Sequence, residues 1–384
     1  MKTILRFARA FVEKGDMLLL FLCLVASGFG IVLIASATNY VGFFPYIRVQ
    51  VVALILGLGL YVLFTFLDID IIAERRDLLF IFNMLFISLL FKWGVSDNTG
   101  NRSWLAFSWL PVSIQPAEVC KLTFIIIMAR MMASSGDRLS RPLNVGKLAI
   151  HLLVTIGLIV VASEDAGSAL VYVFLFIVMA YAGGVRLGWF ILGAGAIVAA
   201  APFLWTRVMR EDQKNRILVL FDPTIDPTGQ NERWHTDRSL TYLQSGGLTG
   251  DGLFHGDHTQ AGQMPAQHTD FIFSVVGEEL GLLGCIVVLL ILLAIVIRII
   301  YVGVKSHNYM NRLICIGIAA ILLFQIIIDV GFCIGVLPVI GLTLPFFSYG
   351  GSSLVTMFAA MGIVSGIKYR PAPSSNARYV TKQG

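Results

Sequence analysis

Residues 271–302 read FIFSVVGEELGLLGCIVVLLILLAIVIRIIYV, an almost unbroken apolar run that opens directly behind the polar stretch MPAQHTD at 264–270. About 20 apolar residues suffice for a helix to cross roughly 30 Å of hydrocarbon. This run exceeds one crossing, so length alone does not set its ends. In hydrocarbon the backbone must satisfy its own hydrogen bonds, which leaves a helix as the natural conformation for such a segment. Repeats of the same pattern on both sides make the chain an all-α polytopic membrane protein.

The expected spans are about 17–37, 49–67, 78–92, 119–134, 148–163, 168–184, 187–205, 271–302, 312–336 and 349–367, ten in all. The third is short for a crossing and the eighth long. A single membrane domain covers 1–370, interrupted by one long polar loop at about 206–270 between the seventh and eighth spans. Residues 371–384, with two prolines and two serines at the start, read as a short disordered tail. Composition agrees: 57% of the 384 residues are hydrophobic and only 13% charged, with mean hydropathy +0.83. A soluble domain would carry roughly 25% charged residues.

Lysine and arginine concentrate on the cytoplasmic side of membrane proteins. With an inward N-terminus, cytoplasmic segments hold 18 of the 28 basic residues, six fall in the long loop, and Arg48, Lys92, Arg102 and Lys121 make up the rest. Both termini are therefore expected in the cytoplasm and the loop outside. The net charge of +5 reflects this sidedness and implies no nucleic-acid partner. All five cysteines lie in or beside apolar runs without CxxC spacing, so neither a disulfide framework nor a thiolate metal site is expected. The basic N-terminus precedes an apolar run with no small-residue cleavage site, which reads as a retained helix.

Chemistry would gather at the loop end. Asp270 closes the polar loop where the eighth span begins. A carboxylate there is a candidate general base, or simply a helix N-cap, a position Asp favours. In QPAEVCK at 115–121, Pro116 suits a first helical turn, and Glu118 and Lys121 share a face and can pair. Asp165 lies in a short acidic turn, where capping is the plainer reading. Arg102 beside Trp104 could meet phosphate or anchor the interface. Lys214 and Arg216 are placed to meet an anionic ligand, with Gly246, Gly247, Gly250 and Gly252 permitting close backbone approach. His255 and His258 have helical metal-like spacing, but Gly256 intervenes and no third ligand is evident, so a metal site is not the favoured reading. The proline- and glycine-rich VLPVIGLTLPFFSYGGSS at 336–353 would need protein or a cavity around it at membrane depth. It suggests a pocket, one that could receive a lipid tail.

QPAEVCK, EDAGSAL at 164–170, QKNRI at 213–217, HTDFIFSVVGEELGLLG at 268–284 and GLTLPFFSYGGSS at 341–353 together resemble the SEDS family, the RodA, FtsW and SpoVE group, in family order over most of the chain. The resemblance implies a ten-helix peptidoglycan glycosyltransferase of the bacterial cytoplasmic membrane. Such an enzyme polymerises lipid II by inverting transfer from a polyprenyl pyrophosphate and works with a class B penicillin-binding protein. The family's essential aspartate falls on Asp270. By extension His268 and Thr269 beside it, Arg102, Glu118, Lys121, Asp165, Lys214 and Arg216, and Ser348 and Ser352 of the last block, are expected around the substrate. A divalent cation, Mg or Mn, could bridge acids and pyrophosphate. A flippase or transporter for lipid II, or a scaffold for the penicillin-binding protein, would use the same membrane architecture. Three departures stand out: Ala266 replaces a usual glutamate, Glu164 a usual proline, and Asp329 a usual asparagine.

Overall fold

The computed structural model describes residues 11–13, 15–96, 101–107, 112–209, 211–226 and 233–369. Ten principal helices run through it: α1 Met17–Ala37, α2 Phe44–Phe66, α3 Arg76–Ser88, α4 Pro116–Ser135, α5 Pro142–Ser163, α6 Ala166–Ala182, α7 Leu187–Phe203, α8 Ile272–Lys305, α9 Tyr309–Cys333 and α10 Gly351–Tyr369. Eight of these are long and apolar enough to cross a membrane. The other two, α3 and α6, have 13 and 17 residues; at about 1.5 Å per residue, α6 is roughly 25 Å long. The expected tail at 371–384 lies outside the described residues.

Local chemistry sets most helix starts. Asp16 caps α1 by accepting from the Leu19 N–H at 3.2 Å. Pro45, Pro116 and Pro142 occupy the first turns of α2, α4 and α5, where a missing N–H costs nothing. Pro45 also explains why α2 begins at Phe44, before the expected 49.

The long apolar run behaves differently from a simple span. α8 is broken at Gly281, whose φ of 64° lies in the left-handed region. A break leaves backbone groups without helical partners, and the loop supplies them. The N–H groups of Leu282 and Leu283 donate to Gly247 and Leu248 carbonyls at 3.0 and 3.2 Å, while Asp251 and Gly252 N–H groups donate to Glu278 and Glu279 carbonyls at 3.0 and 2.8 Å. The run is thus a half-helix behind Asp270 followed by the membrane segment proper, which is why it is too long for one crossing. Two of the glycines of SGGLTGDG, Gly246 and Gly250, make close approaches to this helix: a Cβ on Gly250 would lie 2.3 Å from the Glu279 carbonyl oxygen.

The loop itself is folded, with helices at Glu211–Leu218, Trp234–Ser245 and Asp257–Gln260. Glu278 accepts from His258 and Thr259 N–H groups at 2.8 and 2.9 Å, holding the Asp257–Gln260 turn, and Glu279 accepts from Ser36 and Gln260 at 2.6 and 2.9 Å. Both glutamates are fully buried, so the acids within the eighth run bind the loop to the bundle.

At the opposite end of the bundle, buried Asp16 joins four helices. Arg298 of α8 forks onto its carboxylate at 2.9 to 3.1 Å, Lys368 of α10 approaches to 3.6 Å, and Tyr61 of α2 donates to its carbonyl at 2.9 Å. Asp16 itself is completely inaccessible. Breaking one side of a buried ion pair costs about 3–5 kcal/mol because the other charge stays buried. Asp16→Asn should therefore lower the melting temperature of the detergent-purified protein clearly, and pairing Asp16→Leu with Arg298→Met should recover part of the loss. A single variant that melts with the wild-type chain would remove this cluster as the anchor of the four helices.

Candidate functional site around Asp270

Asp270 is half-buried at the end of a tight turn. The turn is closed by Ala266, which has a φ of 57° and whose carbonyl accepts from the N–H of Thr269 at 3.0 Å, the Thr269 hydroxyl at 3.1 Å and the Phe271 N–H at 3.3 Å. α8 then starts with Phe271, not Asp270, in the capping position. The reading of Asp270 as the cap residue is therefore corrected: its side chain stands one residue outside the helix.

The irregular segment from Ile334 to Gly350 passes directly beside it. Gly341, with φ 75°, leaves no side chain between them; a Cβ there would sit 3.4 Å from Asp270 Oδ2. The neighbouring Ile340 packs against Gly167 at the start of α6, where a Cβ would meet the isoleucine side chain at 2.7 Å. Arg216, from the Glu211–Leu218 helix, donates to the Val339 carbonyl at 3.4 Å. One strap of chain thus brings the start of α6, Arg216 and Asp270 to one place.

The strap is held from several sides. Gln50 of α2 donates to the Ser348 carbonyl at 3.2 Å and accepts from the Gly350 N–H at 3.3 Å. The Ser348 hydroxyl accepts from Leu344 N–H at 2.9 Å, and the Ser352 hydroxyl from Gln115 N–H at 3.0 Å. The His268 carbonyl accepts from Tyr349 N–H at 2.8 Å, and its ring packs edge-on to Tyr46 with centroids 4.9 Å apart. Burial holds the His268 imidazole below its usual pKa, so it is neutral at neutral pH. Ser348 and Ser352 are 5% and 4% exposed and serve the architecture here.

Asp165 is a helix cap, as the plainer reading had it. Its Oδ1 accepts from the Ser168 N–H at 2.9 Å, and its Oδ2 from the Ser168 hydroxyl at 2.6 Å and the Gln115 amide at 3.3 Å. Glu118 and Lys121 do pair, at 2.6 Å, and both are buried in the first turns of α4. The other Glu118 oxygen, Oε2, is buried without a hydrogen-bond partner. Lys214 instead pairs with exposed Glu211 at 2.6 Å on its own helix. Arg102 is exposed and is held by its backbone N–H to the Ser163 carbonyl at 3.2 Å. His255 bonds the Leu253 carbonyl at 2.7 Å and His258 the Gln263 side chain at 3.0 Å, and the described residues bring no third metal-ligating side chain to them.

Two neighbours of Asp270 were not singled out as site residues from the sequence. His235 stacks on Phe271 with rings 11° from parallel, and burial, followed by the Arg216 charge, keeps it neutral. Asp329 of α9 lies within electrostatic reach of Asp270. It is fully buried, and neither carboxylate oxygen has a hydrogen-bond partner. Its substitution for a usual asparagine was the only signal that could have marked it. A half-buried carboxylate, a second buried acid, an arginine and two neutral imidazoles make a site suited to moving a proton beside an anion.

Comparison with known proteins bears on this arrangement. Residues 16–371 match the FtsW, RodA and SpoVE family of cell cycle proteins. The peptidoglycan glycosyltransferase MrdB of Escherichia coli is 33% identical over 276 residues, 71% of this chain and 73% of that protein. A probable peptidoglycan glycosyltransferase FtsW of Geobacter metallireducens is 31% identical over 94% of this chain and 96% of its own length. Among solved structures, a peptidoglycan synthase complex described as coordinating polymerization and crosslinking contains a chain with a TM-score of 0.77 and 30% identity, covering 92% of this chain and 97% of that one. The rod shape determining protein RodA of Thermus thermophilus follows with a TM-score of 0.68 and 27% identity, covering 94% and 98%. The five sequence blocks and the strap that gathers them at Asp270 therefore have a common origin: this chain is a member of the FtsW, RodA and SpoVE family.

Proposed function

We infer that this protein is a peptidoglycan glycosyltransferase that polymerises lipid II at the outer face of the bacterial cytoplasmic membrane, with Asp270 as general base. The observation that carries the assignment is the position of Asp270, outside the helix cap and facing the glycine of the strap. Asp270 takes the proton from the acceptor sugar hydroxyl. The hydroxyl oxygen forms the new bond to the donor anomeric carbon, while the bond from that carbon to the pyrophosphate oxygen breaks and its electron pair leaves with the polyprenyl pyrophosphate. Arg216 is the cation best placed to offset that departing charge. Lys121 contributes by compensating Glu118 inside α4, and exposed Arg102, held to the Ser163 carbonyl beside the Asp165 turn, would meet the pyrophosphate from the side. Family membership supports a class B penicillin-binding protein as the partner that crosslinks the product.

A divalent cation belongs to the same proposal. Mg and Mn take oxygen ligands; Asp270, with the unpartnered and fully buried Asp329 behind it, would be the carboxylate to hold one, although the described residues bring no three ligating side chains together. Bound there, the ion would neutralise leaving-group charge. Chelation should then slow polymerisation, and full activity in excess chelator would remove the ion from the scheme.

Asn cannot accept a proton at neutral pH yet keeps the shape of Asp. Asp270→Asn should reduce polymerisation of labelled lipid II, by the protein purified with its transpeptidase, roughly 100-fold or more, the scale of a lost general base. Folding and partner binding should be unchanged. A folded, partner-bound variant that polymerises near the wild-type rate would sink the assignment.

The Glu118–Lys121 pair gives a second test in the same assay. Lys121→Ala strands a buried carboxylate and should be more damaging than the double change Glu118→Gln with Lys121→Met, which leaves no charge behind. Losses that simply add would mean that the two residues act separately.

Sidedness is tested at Asp257, which is exposed in the loop. All five native cysteines are buried, so Asp257→Cys should be the reactive thiol when intact cells meet an impermeant reagent. Labelling only after permeabilisation would put the site on the inner face.

A further inference from the structure

A cavity of about 830 Å³ opens between α3, α4 and α5 at the end of the bundle opposite Asp270. That volume lies within the range of small-molecule sites. Its mouth carries Arg76, Arg138, Arg141 and Lys147 against one acid, Asp77. Arg76 lies 3.8 Å from Asp77. The other three cations form no ion pair among the described residues, and each is exposed. Cations this close together repel one another unless an anion sits between them.

The interior has the opposite character. Phe80 of α3, Ile127 of α4 and Leu148 of α5 line it. Ile127 and Ser135 mark its two levels on α4, eight residues or roughly 12 Å apart along the axis. At the lips, Ile81, Leu143 and Ile150 are 52%, 70% and 62% exposed, so the apolar wall continues onto the flank that faces lipid. One polar group interrupts it. His151 is 5% exposed, stacks on Phe124 with ring centroids 4.7 Å apart, and has a buried Nε2 with no hydrogen-bond partner. The nearby polar side chains are already satisfied: Ser134 and Ser135 donate to the Met131 carbonyl and Asn144 to that of Arg138.

We propose that this cavity binds an anionic diacyl phospholipid, its phosphate held by Arg138, Arg141 and Lys147 and an acyl chain laid along the apolar walls past His151. Basic pockets between membrane helices recognise anionic lipid headgroups in this way. A soluble phosphate compound would use the rim and leave the apolar interior empty. A zwitterionic lipid would fill the interior but bring no net charge to the rim. His151 stacks on Phe124 with its Nε2 buried, so the interior offers the acyl chain a ring face and apolar side chains. The site is separate from Asp270 and stands whether or not the catalytic reading holds.

The full-length protein, purified in detergent, would be given phosphatidylglycerol and phosphatidylcholine of identical chains, and the retained lipid read by native mass spectrometry. Phosphatidylglycerol should be retained in preference. That preference should fall roughly fivefold for each cation removed, through Arg138→Ala, Arg141→Ala and Lys147→Ala singly and together. Glycerol 3-phosphate should not compete. Equal retention of the two lipids, an unchanged preference in the triple variant, or displacement by glycerol 3-phosphate would each overturn the proposal, the last by reducing the ligand to a free phosphate. A second measurement needs no charge variant to fold. A photoreactive amino acid at Ile150, in the cavity lip, should capture phosphatidylglycerol well above the same group at Val161, which is 70% exposed near the other end of α5. Equal capture at the two positions would also overturn it.

Discussion

The break in α8 at Gly281 is the constraint on which the rest of the molecule depends. A left-handed residue in the middle of a membrane helix exposes carbonyl and amide groups that lipid cannot satisfy. Here Gly247, Leu248, Asp251 and Gly252 reach across and complete them. The long loop is consequently part of the bundle, seated on the first half of α8, whose own Glu278 and Glu279 are buried in contacts with loop and α1. Asp270 is the residue that leads into this half-helix, so its placement rests on the same bonds.

The second element of the site is the strap between α9 and α10. It has no regular structure to position it, and the Gln50 side chain of α2 and the backbone N–H of Gln115, just ahead of α4, do so. Irregular backbone at this depth is tolerated only when protein encloses it. The enclosure and the site are the same structure: the contacts that satisfy the strap carry Gly341 to Asp270 and give Arg216 a carbonyl to hold.

Most of the helical framework was legible in the sequence, because twenty-residue apolar runs have few conformations open to them. The pairing of Glu118 with Lys121 followed from helical spacing, and the capping by Asp165 from the chemistry of a short turn. What failed to show was long-range. Nothing local distinguishes a glycine that breaks α8 from one that packs within it, so the eighth run read as one long span. Two of the loop glycines, Gly246 and Gly250, looked like room for a ligand, and their close neighbour is the α8 backbone. Lys214 looked available to an anion, yet Glu211 lies three residues away on the same face of its helix. His235 and Asp329 come to Asp270 from points far off in the chain, and no spacing rule connects them.

Gln50, Gln115 and His268 grip the strap at Ser348 to Ser352, while Gly331 and Phe332 close its other end through backbone bonds to Val336, Leu337 and Gly335. With both ends fixed and Gly341 committed to the carboxylate in between, the length of this segment is as constrained as its composition. Descendants of this gene can exchange side chains along it, such as the isoleucine at 340 for another apolar residue of similar volume, far more readily than they can gain or lose one residue. Ordinary connecting loops accept insertions freely; this one would slip out of register with three helices at once.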